Sequence, residues 1–115
     1  AEAYLTYAEA TARLNGGTTT KEGTDAVNAL RDRAHAVKRS AYSLSDLCDE
    51  WSREFYYEGL RRPTLIRFGR FGGNNNYNWS YKGGAKAGRN FDATRNIFAI
   101  PAAQVKGAIT QNPGY

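Results

Sequence analysis

The sequence predicts a mainly α-helical fold: a tetratricopeptide-like helical hairpin, a packing helix and a long loop. Three observations carry this. Apolar residues recur at spacings of three and four through most of the first 68 positions. Capping residues and glycines fall between those runs. From Gly69 to Phe91 the chain is rich in Gly, Asn and aromatic residues, a composition that excludes helix.

The first helix is expected over 1–14, with Tyr4, Leu5, Ala8 and Ala12 on one side and a favourable Glu9–Arg13 pair. Asn15-Gly16-Gly17 ends it, and Thr18 to Thr20 offer caps for a second helix over 21–36. Ala26, Val27, Leu30 and Ala34 form the stripe of that helix, and His35 reads as a residue of its last turn. Residues 1–36 thus make an antiparallel hairpin. A single hairpin cannot bury both faces, so upstream repeats or a partner are expected. Ala1 lies inside a helical pattern with neither cap nor initiator Met before it, so the chain is expected to be the C-terminal part of a longer protein.

After a linker at 37–42, residues 43–69 hold the central helices. Leu44, Leu47, Cys48, Trp51 and Phe55 form one apolar stripe. Ser43 and Asp46 have capping-box spacing, Gly59 can end the helix, and Pro63 suits the first turn of a short successor. Glu50, Glu54 and Glu58 form an i, i+4 row that alone would repel. Arg53, Arg61 and Arg62 stand close enough in sequence to answer it, as do Arg67 and Arg70. Two readings remain open: a partly buried structural ion-pair network of Glu50, Arg53, Glu54, Glu58, Arg61 and Arg62, or a solvated charged face. Carboxylates on one helix face point the same way and cannot flank a glycosidic bond from opposite sides, so no catalytic residue and no enzyme are expected.

Residues 70–115 are the loop and C-terminal tail, with a short extended piece expected around Tyr77 to Tyr81. Asn amides and aromatic rings suit a neutral sugar, which needs donors, acceptors and a flat apolar face. Asn75, Tyr77, Trp79 and Tyr81 are the glycan-binding candidates. The competing reading is that the three rings simply pin the loop. Asn96 to Pro101 reads as extended, with a helical turn over 102–105, and Ile109 and Tyr115 are expected to anchor the tail.

At 115 residues the chain fits one small domain or part of a larger one. It holds no apolar run long enough for a transmembrane helix. Its one cysteine, Cys48, lies on an apolar stripe and reads as a buried inert thiol. No second metal-ligand candidate of the right type stands at helical spacing from His35, so neither a metal nor a cofactor is implied. The net charge of +5 permits acidic partners without demanding them. The cluster Arg31, Arg33, Lys38 and Arg39 reads as the usual cationic helix end, and no nucleic-acid module is present.

The pattern Glu50-Trp51-x-Arg53-Glu54-Phe55-x-x-Glu58-Gly59-x-Arg61-Arg62, then Leu65-x-Arg67-Phe68-Gly69, resembles the C-terminal signature of the SusD/RagB family. Ala1 to Ala10 resembles the family's last repeat helix, and Ile100-Pro101 with Gln111 to Tyr115 resembles its chain end. The segment Trp79 to Ala85 is similar to the starch-binding member. Pro63-Thr64 departs from the pattern, since many relatives carry an aspartate there. The resemblance implies the C-terminal portion of a SusD-like α-helical domain over 1–115. It further implies a surface glycan-binding lipoprotein of the outer membrane, anchored through an N-terminal segment outside this chain. Such a protein captures starch or malto-oligosaccharide for a SusC-like TonB-dependent transporter, packs against its own upstream part, and carries its main glycan site there. The alternative is an independent helical module that binds a protein or acidic partner.

Overall fold

The computed structural model describes residues 1–73 and 77–115. It is mainly helical and forms two compact units, Ala1–Arg61 and Arg62–Tyr115.

The first unit holds α1 (Glu2–Leu14), α2 (Lys21–Arg33) and α3 (Leu44–Glu54), with α1 packed against both others. Its core is Leu5, Ala8, Ala12, Val27, Tyr42, Leu47, Cys48 and Trp51. Tyr4, expected on the buried side of α1, is half exposed, because the buried arc runs through Leu5, Ala8, Glu9 and Ala12. The buried Glu9 is neutralised by Arg13, whose Nη2 donates at 2.9 Å.

The hairpin is close because Gly23 and Thr24, rather than larger residues, face α1. A Cβ on Gly23 would meet Thr11 Oγ1 at 2.8 Å and Ala8 Cα at 3.4 Å. Thr20 caps α2, accepting from the Gly23 N–H at 3.2 Å.

α2 stops at Arg33, short of the expected residue 36. His35 adopts φ 53°, its N–H donates to the Asp32 carbonyl at 3.0 Å, and the Ala36 N–H donates to the Arg31 carbonyl at 2.8 Å. This is a Schellman ending with histidine where glycine is usual. His35→Gly is therefore expected to raise stability by about 0.5–1 kcal/mol, since it removes the Cβ penalty of the left-handed conformation. Thermal unfolding measures it, and a lower midpoint would contradict the assignment.

Ser43 and Asp46 form the capping box of α3. The Asp46 N–H donates to Ser43 Oγ at 3.1 Å, and the Ser43 N–H donates to Asp46 Oδ2 at 2.9 Å. The Ser43 hydroxyl and N–H, together with Arg39, hold the Asp46 carboxyl below the usual carboxylate range. The helix ends at Glu54 rather than near Gly59. Phe55, Tyr56 and Tyr57 are poor helix formers, and Tyr57 turns left-handed at φ 66°. Gly59 does adopt positive φ, but in the turn beyond the helix.

α4 (Arg61–Arg67) carries Pro63 in its first turn and leads into the second unit. Gly69 at φ 67° closes it, with the Arg70 N–H on the Leu65 carbonyl at 2.7 Å. Gly72 and Phe91 form a single parallel bridge, and the Asn96 side chain accepts from the Gly72 N–H at 3.0 Å. Among the described residues, 3-10 turns follow at Lys82–Gly84, Ala93–Asn96 and Ala102–Gln104. The extended piece expected at Tyr77 to Tyr81 is instead irregular and ends in a turn, because Tyr81 is left-handed at φ 65°.

The tail is docked within this unit. The Gln111 amide takes the Ile100 N–H and donates to the Ile100 carbonyl, both at 2.8 Å, as a strand neighbour would. Asn112 Nδ2 donates to the Phe98 carbonyl at 2.7 Å, and the Tyr115 hydroxyl lies 3.0 and 2.9 Å from the carbonyls of Thr94 and Ile97. Ile109, expected to anchor, is 50% exposed; amide and phenol groups perform that task.

Candidate functional site

The aromatic loop of the second unit is built around a cation. Lys82 is 2% exposed although its sequence neighbours are glycines and aromatics. Its Nζ donates to the Tyr77 carbonyl at 2.9 Å. The ammonium lies 4.8 Å from the Trp79 ring centroid and 5.0 Å from that of Phe91. Burial pushes its pKa below the ordinary lysine value. The charge is accommodated by two ring faces and one carbonyl, each an electron-rich partner.

The rings support one another. Tyr77 meets Trp79 edge-on at 6.4 Å, and Trp79 meets Phe91 at 6.5 Å with an interplanar angle of 89°. Arg70 covers Tyr77, its guanidinium carbon 4.8 Å from the ring centroid. The turn after Trp79 is fixed by the Lys82 N–H on the Trp79 carbonyl at 3.0 Å. Gly88 must lack a side chain, since a Cβ there would sit 2.4 Å from the same carbonyl.

Trp79 nevertheless keeps 40% of its surface exposed, and Tyr81 keeps 66%. The arrangement offers one immobilised indole and one projecting phenol on a single short turn. A flat apolar face with a polar neighbour suits the carbon face and hydroxyls of a sugar ring. Asn75, the fourth candidate, lies outside the described residues. Lys82, Phe91 and Arg70 were missed by reasoning on the sequence. The available signal was a lysine flanked by Trp79, Tyr81 and Phe91.

The acidic row lies in the first unit. Glu50 Oε1 takes Arg31 Nε at 2.9 Å, a second Arg31 N–H and Arg53 Nη2 at 2.6 Å. Burial by itself would raise the Glu50 carboxyl, but hydrogen bonds from Arg53 and Arg31 outweigh it and hold the group below the usual range. A carboxylate kept ionised in this way cannot supply a proton at neutral pH. Glu54 pairs with Arg33. The structure therefore brings Glu50, Arg53 and Glu54 together with Arg31 and Arg33 of α2.

Glu58, Arg61 and Arg62 are placed elsewhere. Glu58 stands exposed past the end of α3, and no ion pair reaches it among the described residues. Arg61 Nη1 donates to the Cys48 carbonyl at 2.9 Å. Arg62 belongs to the second unit, stacks 3.9 Å from the Phe98 centroid and donates to the Arg95 carbonyl at 2.8 Å. The basic cluster is internally neutralised: Lys38 meets Asp32 at 2.7 Å, Arg39 meets Asp46 at 2.8 Å, and Arg31 and Arg33 hold the glutamates. Among the described residues no group of His, Cys, Asp and Glu could hold a metal ion, and no helix is long and apolar enough to cross a membrane.

Comparison with known proteins adds a second line. The chain is 42% identical over 118 aligned positions to the starch-binding protein SusD of Bacteroides thetaiotaomicron. The match takes in 100% of this chain and 20% of that relative, so the chain spans a fifth of the relative's length. The sequence pattern of the SusD family matches residues 1–115, from one end of the chain to the other. The chain belongs to the SusD family.

Proposed function

We propose that this chain is part of a glycan-binding protein that captures starch-type oligosaccharides at the cell surface. The observation that carries the reading is the identity of 42% across the whole chain to a starch-binding protein. Trp79 is well suited to a share in that binding, because a stacking platform must present a face without first paying to order it. Its ring is already fixed by Lys82 and Phe91 and remains partly exposed. Tyr81 would add a hydroxyl and a second ring edge, Tyr77 would support the platform from below, and Asn75 would supply amide contacts. The protein would hold the oligosaccharide without cleaving it. It would deliver the sugar to a TonB-dependent transporter of the outer membrane, anchored there by lipid at an N-terminal segment outside this chain.

Titration with maltoheptaose by calorimetry, using the full-length protein, tests this. Binding is expected to be insensitive to salt, because no charge is exchanged. If this loop contacts the glycan, Trp79→Ala weakens binding by about 3–10-fold, the worth of one stacking contact. Unchanged affinity in that variant would assign the rings to pinning the loop. Absence of any maltoheptaose binding would sink the starch reading itself, and release of reducing ends over time would refute the non-enzymatic role.

A further inference from the structure

The second unit carries an open groove of about 470 Å³ that the glycan reading does not use. Three of its lining residues are arginines: Arg62, Arg89 and Arg95. Its apolar wall includes Phe71, Ile97 and Phe98. We propose that this groove is a docking site for an acidic peptide segment, with carboxylates on the arginines and an apolar side chain against the wall at Ile97.

The charge balance points to an anion. Among the described residues, no salt bridge reaches Arg62, Arg89 or Arg95. The acidic side chain of the groove is Asp92, which accepts the Thr94 N–H at 2.9 Å and feels the nearby Arg95 charge more weakly. Three guanidiniums against one carboxylate leave a positive surface that repels itself when empty and attracts an acidic chain. The contrast with the first unit is informative, since Arg31, Arg33, Lys38 and Arg39 each have an internal acid there.

The site is also held in shape. Arg62 is fixed by the Arg95 carbonyl and by stacking on Phe98 and Phe71, at 3.9 and 5.1 Å from the ring centroids. Tyr115 closes one side through its bonds to Thr94 and Ile97. Arg89 and Arg95 are exposed, and the Arg89 side chain runs over Gly83. The wall favours a peptide over a stacked sugar, because Arg62 already lies over the Phe71 and Phe98 rings, while the exposed Ile97 offers an aliphatic contact and no flat face. A volume of this size accommodates a few residues.

The test is fluorescence anisotropy of the full-length protein with a labelled decapeptide alternating glutamate and leucine. A lysine–leucine counterpart is the control, and unlabelled oligogalacturonate and maltoheptaose are competitors. The acidic peptide is expected to bind, and the basic one not. Arg89→Gln with Arg95→Gln should weaken binding at least tenfold, about 1.4 kcal/mol, while Arg89→Lys with Arg95→Lys should keep most of it. Raised salt should weaken it, and maltoheptaose should not compete. Unaltered circular dichroism separates lost binding from lost fold. No binding of the acidic peptide overturns the proposal. So does displacement by oligogalacturonate more effective than by unlabelled peptide, which would make the groove an acidic-sugar site, and so does binding indifferent to both arginine variants.

Discussion

Replacing Tyr42 by alanine is expected to lower the unfolding free energy by about 3–5 kcal/mol, the range for deleting a buried aromatic ring. Tyr42 is 0% exposed and ties three segments together. Its N–H donates to Thr19 Oγ1 at 3.0 Å, and its carbonyl accepts from the Thr19 N–H at 2.9 Å. Its hydroxyl donates to Asn28 Oδ1 at 2.6 Å. Arg31 and Arg39 lie over the ring, 5.5 and 5.8 Å from its centroid. Loss of the ring leaves a cavity beside two guanidiniums and removes one of the two donors on Asn28 Oδ1, the other being the Arg39 N–H. Tyr42→Phe keeps the packing and deletes only the hydroxyl, so its cost should be about 1–2 kcal/mol. Denaturant unfolding of both variants separates the terms. Equal losses would place the whole effect in the hydrogen bond, and a loss below 1 kcal/mol for alanine would mean that the segment is not part of the core.

Glu50→Ala is expected to cost about 3 kcal/mol, because it strands the Arg31 guanidinium. The Arg31 and Glu50 side chains are only 12% and 10% exposed, so water cannot replace the lost partner. Arg53 is the more exposed member and should contribute less. The double variant Arg31→Met with Glu50→Met should recover most of the loss, since apolar residues of similar volume fill the site without stranding a charge. A double variant no better than Glu50→Ala would show that the pair itself, and not the avoidance of an unpaired charge, holds the helices. The pH dependence has a definite sign. The folded Glu50 carboxyl lies below its unfolded value, near 4.3 for glutamate, so the pair's contribution is complete above that value. It fades as pH falls through the folded value. The stability gap between the native protein and Glu50→Gln is expected to narrow in that acid window.

Much of the first unit was legible in the residues. The starts of α2 and α3 followed from Thr20, Ser43 and Asp46, whose side chains cap through bonds only a few positions long. The ends were less legible. α2 stops on a left-handed His35 and α3 on the aromatic run before Tyr57, where no glycine marks the place. The early end of α3 removed Glu58 from the acidic row. Of the candidate site, the aromatic residues were visible by composition, but the buried cation beneath Trp79 was not. The aromatic setting of Lys82 was a signal, but residue type alone does not separate a solvated lysine from one stacked on rings.

The sequence by itself determined the helical class, the family, the capping of the helices and the aromatic character of the loop, because each rests on residue type and short spacing. Only the tertiary structure decided which arginine answers which glutamate, that Tyr42 is a core residue rather than a linker, and that Arg62, Arg89 and Arg95 share a groove. The physical reason is range. Caps and turns are fixed by neighbours along the chain, whereas ion pairs and cation–ring contacts join residues up to 36 positions apart, as Arg62 and Phe98 show. Their partners are set by packing, which periodicity does not encode.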